Sequence, residues 1–310
     1  MIDKLSICDT GAKSYMHEIA EMCKKLSEIF SFTQYLDHAV EIVAGTASKT
    51  NGVKQIADYL GAYQDINKET IDRWGEEGWE WSRPVSHEEY LQAKHGNWNV
   101  LLTPTVFVPH EWFGNLKGKK ILGLASGGGQ QMPIFTALGA ECTVLDYSSG
   151  QIESEIFVAE REGYKINAIE GDMTKKFPFA DESFDLIFHP VSNCFVEDVR
   201  HVFNEAYRVL KKGGILLSGL NNEINYIVDN EEKEIVWKMP FNPLKDEKAW
   251  EYMIAEGSGI QFSHNMTEQI GGQLKAGFTL LDLYEDTNGA GRLHEMNIQT
   301  YIATQSVKSV

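Results

Sequence analysis

Apolar segments of strand length alternate with apolar segments of helical length from about residue 119 to the end of the chain. The first of these are a strand over 121–124, a helix over 132–139 and a strand over 141–146. Further strands are predicted over 167–170, 184–188, 215–220, 278–284 and 298–304. Further helices are predicted over 151–163, 196–209 and 266–276. This alternation is typical of an α/β protein with a mostly parallel sheet.

A long loop instead of a helix joins the last two predicted strands, and this connection permits an antiparallel pair. We therefore predict an α/β fold with a Rossmann-like, seven-stranded, mostly parallel sheet and an antiparallel last strand. Residues 221–262 interrupt the alternation with two prolines and an acidic run, and they predict a cap insertion.

The chain is predicted to have three parts. Residues 1–66 carry apolar stripes at helical spacing and form an N-terminal helical extension, which docks either on the core domain or on another subunit in a homodimer. Residues 67–116 are rich in tryptophan and contribute to a lid, unless the rings only anchor an irregular segment to the core. Residues 117–310 form the core with the cap insertion 221–262.

Three successive glycines, Gly127, Gly128 and Gly129, follow the first predicted strand. Glycine lets the backbone turn sharply and approach a ligand closely. The second strand ends at Asp146, where a carboxylate can accept hydrogen bonds from both hydroxyls of a ribose. This strand, loop, helix and strand therefore predict a nucleoside-binding unit.

Composition narrows the class of partner and the compartment. The net charge of -17 argues against nucleic acid or an anionic membrane surface as a partner, because both require basic surface. The four cysteines are far apart and show no metal-ligand spacing, so no metal is expected. Without an apolar run long enough to cross a membrane, and without a signal-peptide pattern, a cytoplasmic location is expected.

With these motifs in hand, residues 117–305 resemble the class I S-adenosylmethionine-dependent methyltransferases. Within that family they are similar to the small-molecule branch that includes the quinone C-methyltransferases. The supporting matches are the glycine loop with Asp146, the turn at 171–173, the strand at 184–187 and the turn at 208–214. The resemblance implies S-adenosyl-L-methionine as cofactor and methyl transfer to a small-molecule acceptor by in-line displacement.

The family's site residues fall on particular positions of this chain. The resemblance implies that the glycine loop carries the methionine half of the cofactor, Asp146 the ribose, and Asp172 with the Met173 backbone the adenine. The implied cofactor-binding residues are Ala125, Ser126, Gly127, Gly129, Gln130, Asp146, Tyr147, Gln151, Asp172, Met173, His189 and Pro190. His189 is also the candidate catalytic base, because it ends a central strand. The alternative is that His189 only packs on the adenosine or contacts it through its backbone.

Two positions depart from the family pattern. The family usually has Asp or Glu where this chain has Gly123, and Gly where it has Ala125. Gln130 and Gln131 are placed to compensate for the missing carboxylate, because a side-chain amide both donates and accepts hydrogen bonds.

Three other functions are alternatives to a small-molecule methyltransferase. A nicotinamide-dependent oxidoreductase shares the glycine loop and the ribose carboxylate, but this loop lacks the third glycine of that fingerprint. A non-catalytic S-adenosylmethionine-binding regulatory protein would explain the unusual loop and the helical extension. A nucleic-acid methyltransferase is disfavoured by the acidic net charge. The Asn/Asp-Pro-Pro-aromatic motif is also absent, and His189-Pro190-Val191-Ser192 stands in its place after the fourth strand.

Overall fold

The computed structural model describes residues 63–309, and the predictions for residues 1–62 lie outside this range. The helices are α1 (Tyr63–Glu76), α2 (His87–Lys94), α3 (Gln131–Ala137), α4 (Ser149–Glu162), α5 (Val199–Val209), α6 (Glu247–Glu256), α7 (Met266–Ala276) and α8 (Gly291–Glu295). The strands are β1 (Lys120–Leu124), β2 (Glu141–Asp146), β3 (Asn167–Glu170), β4 (Phe184–His189), β5 (Leu210–Asn221), β6 (Phe278–Asp286) and β7 (Tyr301–Lys308).

All seven strands form one sheet in the order β3-β2-β1-β4-β5-β7-β6. The first five strands are parallel, and β7 is antiparallel to both of its neighbours. The predicted fold class is therefore confirmed, including the antiparallel last strand. β7 begins at Tyr301, three residues later than predicted. Just before it, the backbone of Thr300 bonds to Asp286 at the end of β6 and to Asn222 just after β5.

The apolar core lies on both faces of the sheet, because successive residues of a strand point to opposite sides. Ile121 and Leu186 belong to one cluster of buried side chains, to which α3 also contributes. Leu122 and Ile187 belong to the other cluster, to which α5 contributes. Burial on both faces explains why β1 and β4 are almost continuously apolar in sequence.

Helix ends follow local signals. The hydroxyl of Ser148 caps the start of α4, and Gly163 ends that helix with φ 73°. Asn265 and Glu268 form a capping box at the start of α7, and Gly277 ends it with φ 110°. These caps set where each helix meets the sheet, so α4 begins just beyond the end of β2.

The chain divides into two compact units. Among the described residues, 63–70 and 243–260 belong to one unit, in which the side chain of Asn67 bonds to the backbone of Ile260 through both its oxygen and its nitrogen. Residues 71–242 and 261–309 belong to the other unit, which contains the whole sheet. Within residues 63–309, no helix is both long and apolar enough to cross a membrane.

Candidate cofactor site

The predicted site residues lie at the carboxyl ends of adjacent parallel strands. In the sheet register Leu124 of β1 is opposite Leu145 of β2, and His189 of β4 is opposite Ser218 of β5. Asp146, the next residue of β2, is therefore at the same edge as the end of β1. Open α/β sheets bind ligands at this edge, where the strand order reverses between neighbouring strands.

The loop after β1 is packed so closely that it requires glycine. A Cβ at Gly127 would lie 2.6 Å from Cβ of Gln151, and one at Gly128 would lie 2.3 Å from Oε1 of Gln151. Gly128 and Gly129 also have φ values of +92° and +71°, in the left-handed region. Ala125 adopts φ 46°, so the residue that replaces the family's glycine keeps a conformation that glycine favours.

The amides of the three loop glycines each have a different acceptor. Gly127 N donates to Asp146 Oδ2 at 2.9 Å, and Gly129 N donates to Glu155 Oε1 at 2.8 Å. Between them, Gly128 N donates to the backbone oxygen of Gln151 at 3.0 Å. The loop is thus held from β2 on one side and from α4 on the other.

Asp146 has the chemistry expected of a ribose ligand. Its Oδ2 accepts the Gly127 amide at 2.9 Å and its Oδ1 accepts the Ser148 amide at 3.0 Å, so each oxygen keeps a lone pair for a hydroxyl donor. Desolvation raises the pKa of Asp146 to about 6, against the opposing effect of these backbone hydrogen bonds. The nearby carboxylate of Asp72 raises it further. A carboxylate desolvated beside a glycine loop fits a neutral ribose diol.

The turn after β3 holds Asp172 in a fixed orientation. Asp172 accepts hydrogen bonds from the Thr174 amide at 2.7 Å and from the Thr174 hydroxyl at 2.8 Å. Met173 packs against the second core cluster. Tyr147 and Pro190 are partly exposed at the ends of β2 and β4. These four residues stay predicted cofactor ligands, and they lie at the sheet edge that carries Asp146.

The space of the missing acidic residue is filled by a different side chain. A Cβ at Gly123 would lie 2.9 Å from the sulfur of Met132, so Met132 packs where a larger residue would project. The hydroxyl of Ser126 donates to Gln131 Oε1 at 2.9 Å, which places the Gln131 amide beside the loop. Compensation by Gln131 therefore stays a prediction that the geometry permits.

The chain segment after α1 is hydrogen-bonded to residues beside the glycine loop. Gln151 Nε2 donates to Ser82 Oγ at 2.7 Å. Gln130 Nε2 donates to the backbone oxygens of Glu80 at 2.9 Å and Arg83 at 3.1 Å. The Gln130 side-chain nitrogen is thus directed toward this segment.

The end of α1, just before this segment, is attached to the start of α4. Asp72 accepts hydrogen bonds from the Ser148 hydroxyl and from the Gly150 amide, the latter at 3.0 Å. A carboxylate at this position is favourable because helix amino ends carry unpaired N–H groups. Residues 72–83 therefore cover the glycine loop, a feature that no periodicity in the sequence indicated.

His189 is buried, with 1% of its surface exposed. Its Nδ1 lies 2.9 Å from the Leu124 carbonyl and its Nε2 lies 2.9 Å from Asn193 Oδ1. Asn193 Nδ2 bonds to Gln269 Oε1, and Gln269 Nε2 bonds to the Asn221 carbonyl. Burial lowers the pKa of His189 and favours the neutral ring. Its role as a base stays a prediction. Its contact with Leu124 fixes the end of β1, just before the glycine loop.

Sequence reasoning missed Glu155 as a site residue. Ile152, Glu155 and Ala159 occupy the same face of α4 and are all buried. A carboxylate at helical spacing among apolar positions was the signal that could have revealed it.

We expect cofactor affinity to depend on the ionisation of Asp146. As the predicted ribose ligand, the carboxylate would accept two hydroxyl hydrogen bonds, whereas the protonated acid would lose one acceptor site, so binding should favour the ionised form. Because the pKa of Asp146 is raised to about 6, affinity for S-adenosylhomocysteine should be high near pH 7 and should fall as the pH decreases through 6. Calorimetry between pH 5 and pH 8 measures this, with Asp146→Asn expected to bind more weakly and with a flatter pH dependence. A flat wild-type profile would contradict it.

The chain is similar in sequence to known methyltransferases. Residues 122–218 match a methyltransferase domain family. An uncharacterized methyltransferase, YbaJ, of Bacillus subtilis is 43% identical over 249 residues, which cover 78% of this chain and 97% of that protein. The ubiquinone/menaquinone biosynthesis C-methyltransferase UbiE of Cereibacter sphaeroides is 27% identical over 193 residues, which cover 59% of this chain and 76% of that protein.

A solved structure shows the same fold. An S-adenosylmethionine-dependent methyltransferase from Mesorhizobium loti superposes with a TM-score of 0.50 and 17% identity, covering 64% of this chain and 94% of that one. The likeness over nearly the full length of the Bacillus subtilis protein shows the family. The glycine loop and Asp146 stay the predicted cofactor site, and Gly127 N donates to Asp146 Oδ2 there. The chain belongs to the S-adenosylmethionine-dependent methyltransferases.

Proposed function

We propose that this methyltransferase acts on an uncharged small molecule that carries a ring and a hydroxyl or N–H group. When bound, S-adenosylmethionine supplies an electrophilic methyl group. The remaining work falls to the protein, which must hold the acceptor in line with that methyl group and keep water away. No further group is needed unless the acceptor must lose a proton.

The observation that carries this proposal is a buried acceptor atom at the end of β5. Asn221 is 7% exposed, and its Oδ1 has no hydrogen-bond partner. Its Nδ2 approaches the hydroxyl of Tyr226 at 3.4 Å. An unpaired buried oxygen is costly, and a ligand hydroxyl or N–H that donates to it would remove that cost.

The surroundings of Asn221 favour an uncharged ring. The ring of Tyr226 stacks on Phe241 with centroids 5.7 Å apart and an angle of 19°, and Trp237 meets Phe241 edge-on. Cys194 is also buried, and burial raises the pKa of its thiol to about 12, so it stays neutral. Aromatic and neutral side chains line most small-molecule sites. The C-methyltransferase of ubiquinone and menaquinone biosynthesis among the relatives agrees with such an acceptor.

The proposal is tested by following S-adenosylhomocysteine formation with a panel of phenols and hydroquinones. Parallel reactions contain duplex DNA or a peptide as the acceptor. We expect turnover only with the small aromatic compounds. Asn221→Leu should lower kcat/KM at least about tenfold, because the acceptor loses a buried hydrogen bond, while affinity for S-adenosylhomocysteine stays unchanged.

The exposed Asn97 provides the matched control, and Asn97→Leu should leave turnover unchanged. Methylation of DNA or peptide in preference to every small compound would contradict the acceptor class. Equal kcat/KM for Asn221→Leu and the wild type would remove Asn221 from the acceptor site.

A further inference from the structure

Glu155 is a carboxyl group in the interior of the protein, on the buried face of α4. Its side chain has 0% exposed surface. Oε1 accepts the Gly129 amide at 2.8 Å, whereas Oε2 is buried and has no hydrogen-bond partner. Within residues 63–309 it makes no ion pair with Lys, Arg or His.

Among residues 63–309, the titratable groups that interact with Glu155 are acidic or neutral. They are Cys142 and Asp146 on β2 and Tyr164 just after α4. Burial, supported by the charge of Asp146, raises the pKa of Glu155 to about 8. A buried ionised carboxylate without a cation is costly, so this environment favours the protonated acid.

Asp146 and Glu155 hold the same loop in different ways. Asp146 accepts a hydrogen bond from the Gly127 amide and lies at the sheet edge. Glu155 accepts one from the Gly129 amide and has no exposed surface. The negative charge of Asp146 raises the pKa of Glu155, so an ionised Asp146 favours the protonated form of Glu155. As the predicted ribose ligand, Asp146 should be the ionised group of the two, because an ionised carboxylate accepts hydrogen bonds on both oxygens.

We propose that Glu155 is a positioning residue of the cofactor site, which holds the glycine loop as an uncharged carboxylic acid and so leaves the negative charge to Asp146. In this role its carbonyl oxygen fixes the Gly129 amide, and its proton keeps a second charge away from the ribose carboxylate. The proposal concerns the cofactor side of the reaction and does not depend on which acceptor is methylated.

Glutamine and leucine variants separate the two properties. Glu155→Gln keeps a neutral carbonyl acceptor, whereas Glu155→Leu removes it. Calorimetry with S-adenosylhomocysteine at pH 7 should give a Kd within about threefold of the wild type for Glu155→Gln, and about tenfold weaker for Glu155→Leu. Hydrogen exchange at the Gly129 amide, measured without cofactor, should stay slow in Glu155→Gln and become fast in Glu155→Leu. Glu153→Gln, an exposed position of the same helix, is the control.

A second readout follows the proton itself. Because the pKa of Glu155 is raised to about 8 in the folded protein, that protein keeps its proton while the unfolded chain loses it. The stability of the wild type should therefore fall relative to Glu155→Gln as the pH rises from about 4.5 to 8. We expect the melting temperature of Glu155→Gln to exceed that of the wild type by about 5 °C or more at pH 8.5, with little difference at pH 5. The infrared carbonyl band of a protonated carboxylic acid should be present in the wild type and absent from Glu155→Gln.

A Glu155→Gln protein that binds as weakly as Glu155→Leu would mean that Glu155 acts as a charge. A melting-temperature difference that does not grow with pH, or a missing acid band, would mean that the group is ionised. If Glu155→Leu does not fold, the glutamine variant and the infrared band still decide the question.

Discussion

Replacing Asp146 with alanine should raise the Kd for S-adenosylhomocysteine by about 10- to 150-fold. This corresponds to about 1.5–3 kcal/mol, the range for hydrogen bonds to a charged group. The carboxylate lies at the end of β2, beside the glycine loop, and each of its oxygens has room for one more donor after the Gly127 and Ser148 amides. Calorimetry on the folded variant measures the change directly.

Asp146 also has a structural role, and the variants must separate it from ligand binding. Alanine leaves the Gly127 and Ser148 amides without their acceptor, so part of the loss comes from a displaced loop. Asp146→Asn keeps one oxygen and should fall between alanine and the wild type. Asp185 is a matched control, because it accepts the Lys120 amide and pairs with Lys211 at the opposite edge of the sheet.

We expect Asp185→Ala to reduce stability but to leave cofactor affinity unchanged. An Asp146→Ala protein that is folded and binds with an unchanged Kd would show that Asp146 is not the ribose ligand. Circular dichroism before each titration establishes that the variant is folded.

Replacing Gly219 with alanine should reduce the free energy of unfolding by about 3 kcal/mol, the upper part of the range for forcing an extra group into a packed interior. A Cβ at Gly219 would lie 2.0 Å from the carbonyl oxygen of Leu102 and 3.0 Å from the Val191 amide. Both neighbours are backbone atoms, and they bond to each other at 3.2 Å. The backbone around the end of β4 must therefore move to make room.

The control for this variant is a glycine with free space. Gly271 lies within α7, and a Cβ there would approach nothing closer than 3.8 Å. Gly271→Ala should be neutral or more stable by up to about 1 kcal/mol, because alanine has the higher helix propensity. Urea denaturation of both variants tests the pair, and a Gly219→Ala protein as stable as Gly271→Ala would contradict the contact with Leu102.

The positions of the cofactor residues on the strands could be predicted from sequence. The β/α alternation identified the strands. Because parallel strands run in the same direction, their carboxyl ends lie at one edge of the sheet. Once Asp146 ended the second strand and the glycines followed the first, their proximity followed from the topology. The family resemblance rested on the same local motifs, so the fold and the cofactor could both be predicted from the sequence.

The surroundings of those residues could not be predicted. The contact between Asp72 and Ser148 joins positions 76 residues apart, and that between Gln151 and Ser82 joins positions 69 apart. Neither residue of such a pair carries a local signal for its partner. The tryptophans illustrate the same limit: Trp112 is buried in the first core cluster, whereas Trp74 packs on Trp79.

A mostly parallel seven-stranded sheet, the glycine loop and a carboxylate at the end of the second strand could all be inferred from the amino-acid sequence. These features depend on periodicity and on residues within about 30 positions of each other. The contacts of His189 with Leu124 and Asn193, and the burial of Glu155 against the Gly129 amide, became visible only in the folded protein. Burial and hydrogen bonding depend on which elements pack together, and packing is a property of the whole chain. The charge that each titratable group carries at the site is therefore set by the fold and not by the motif.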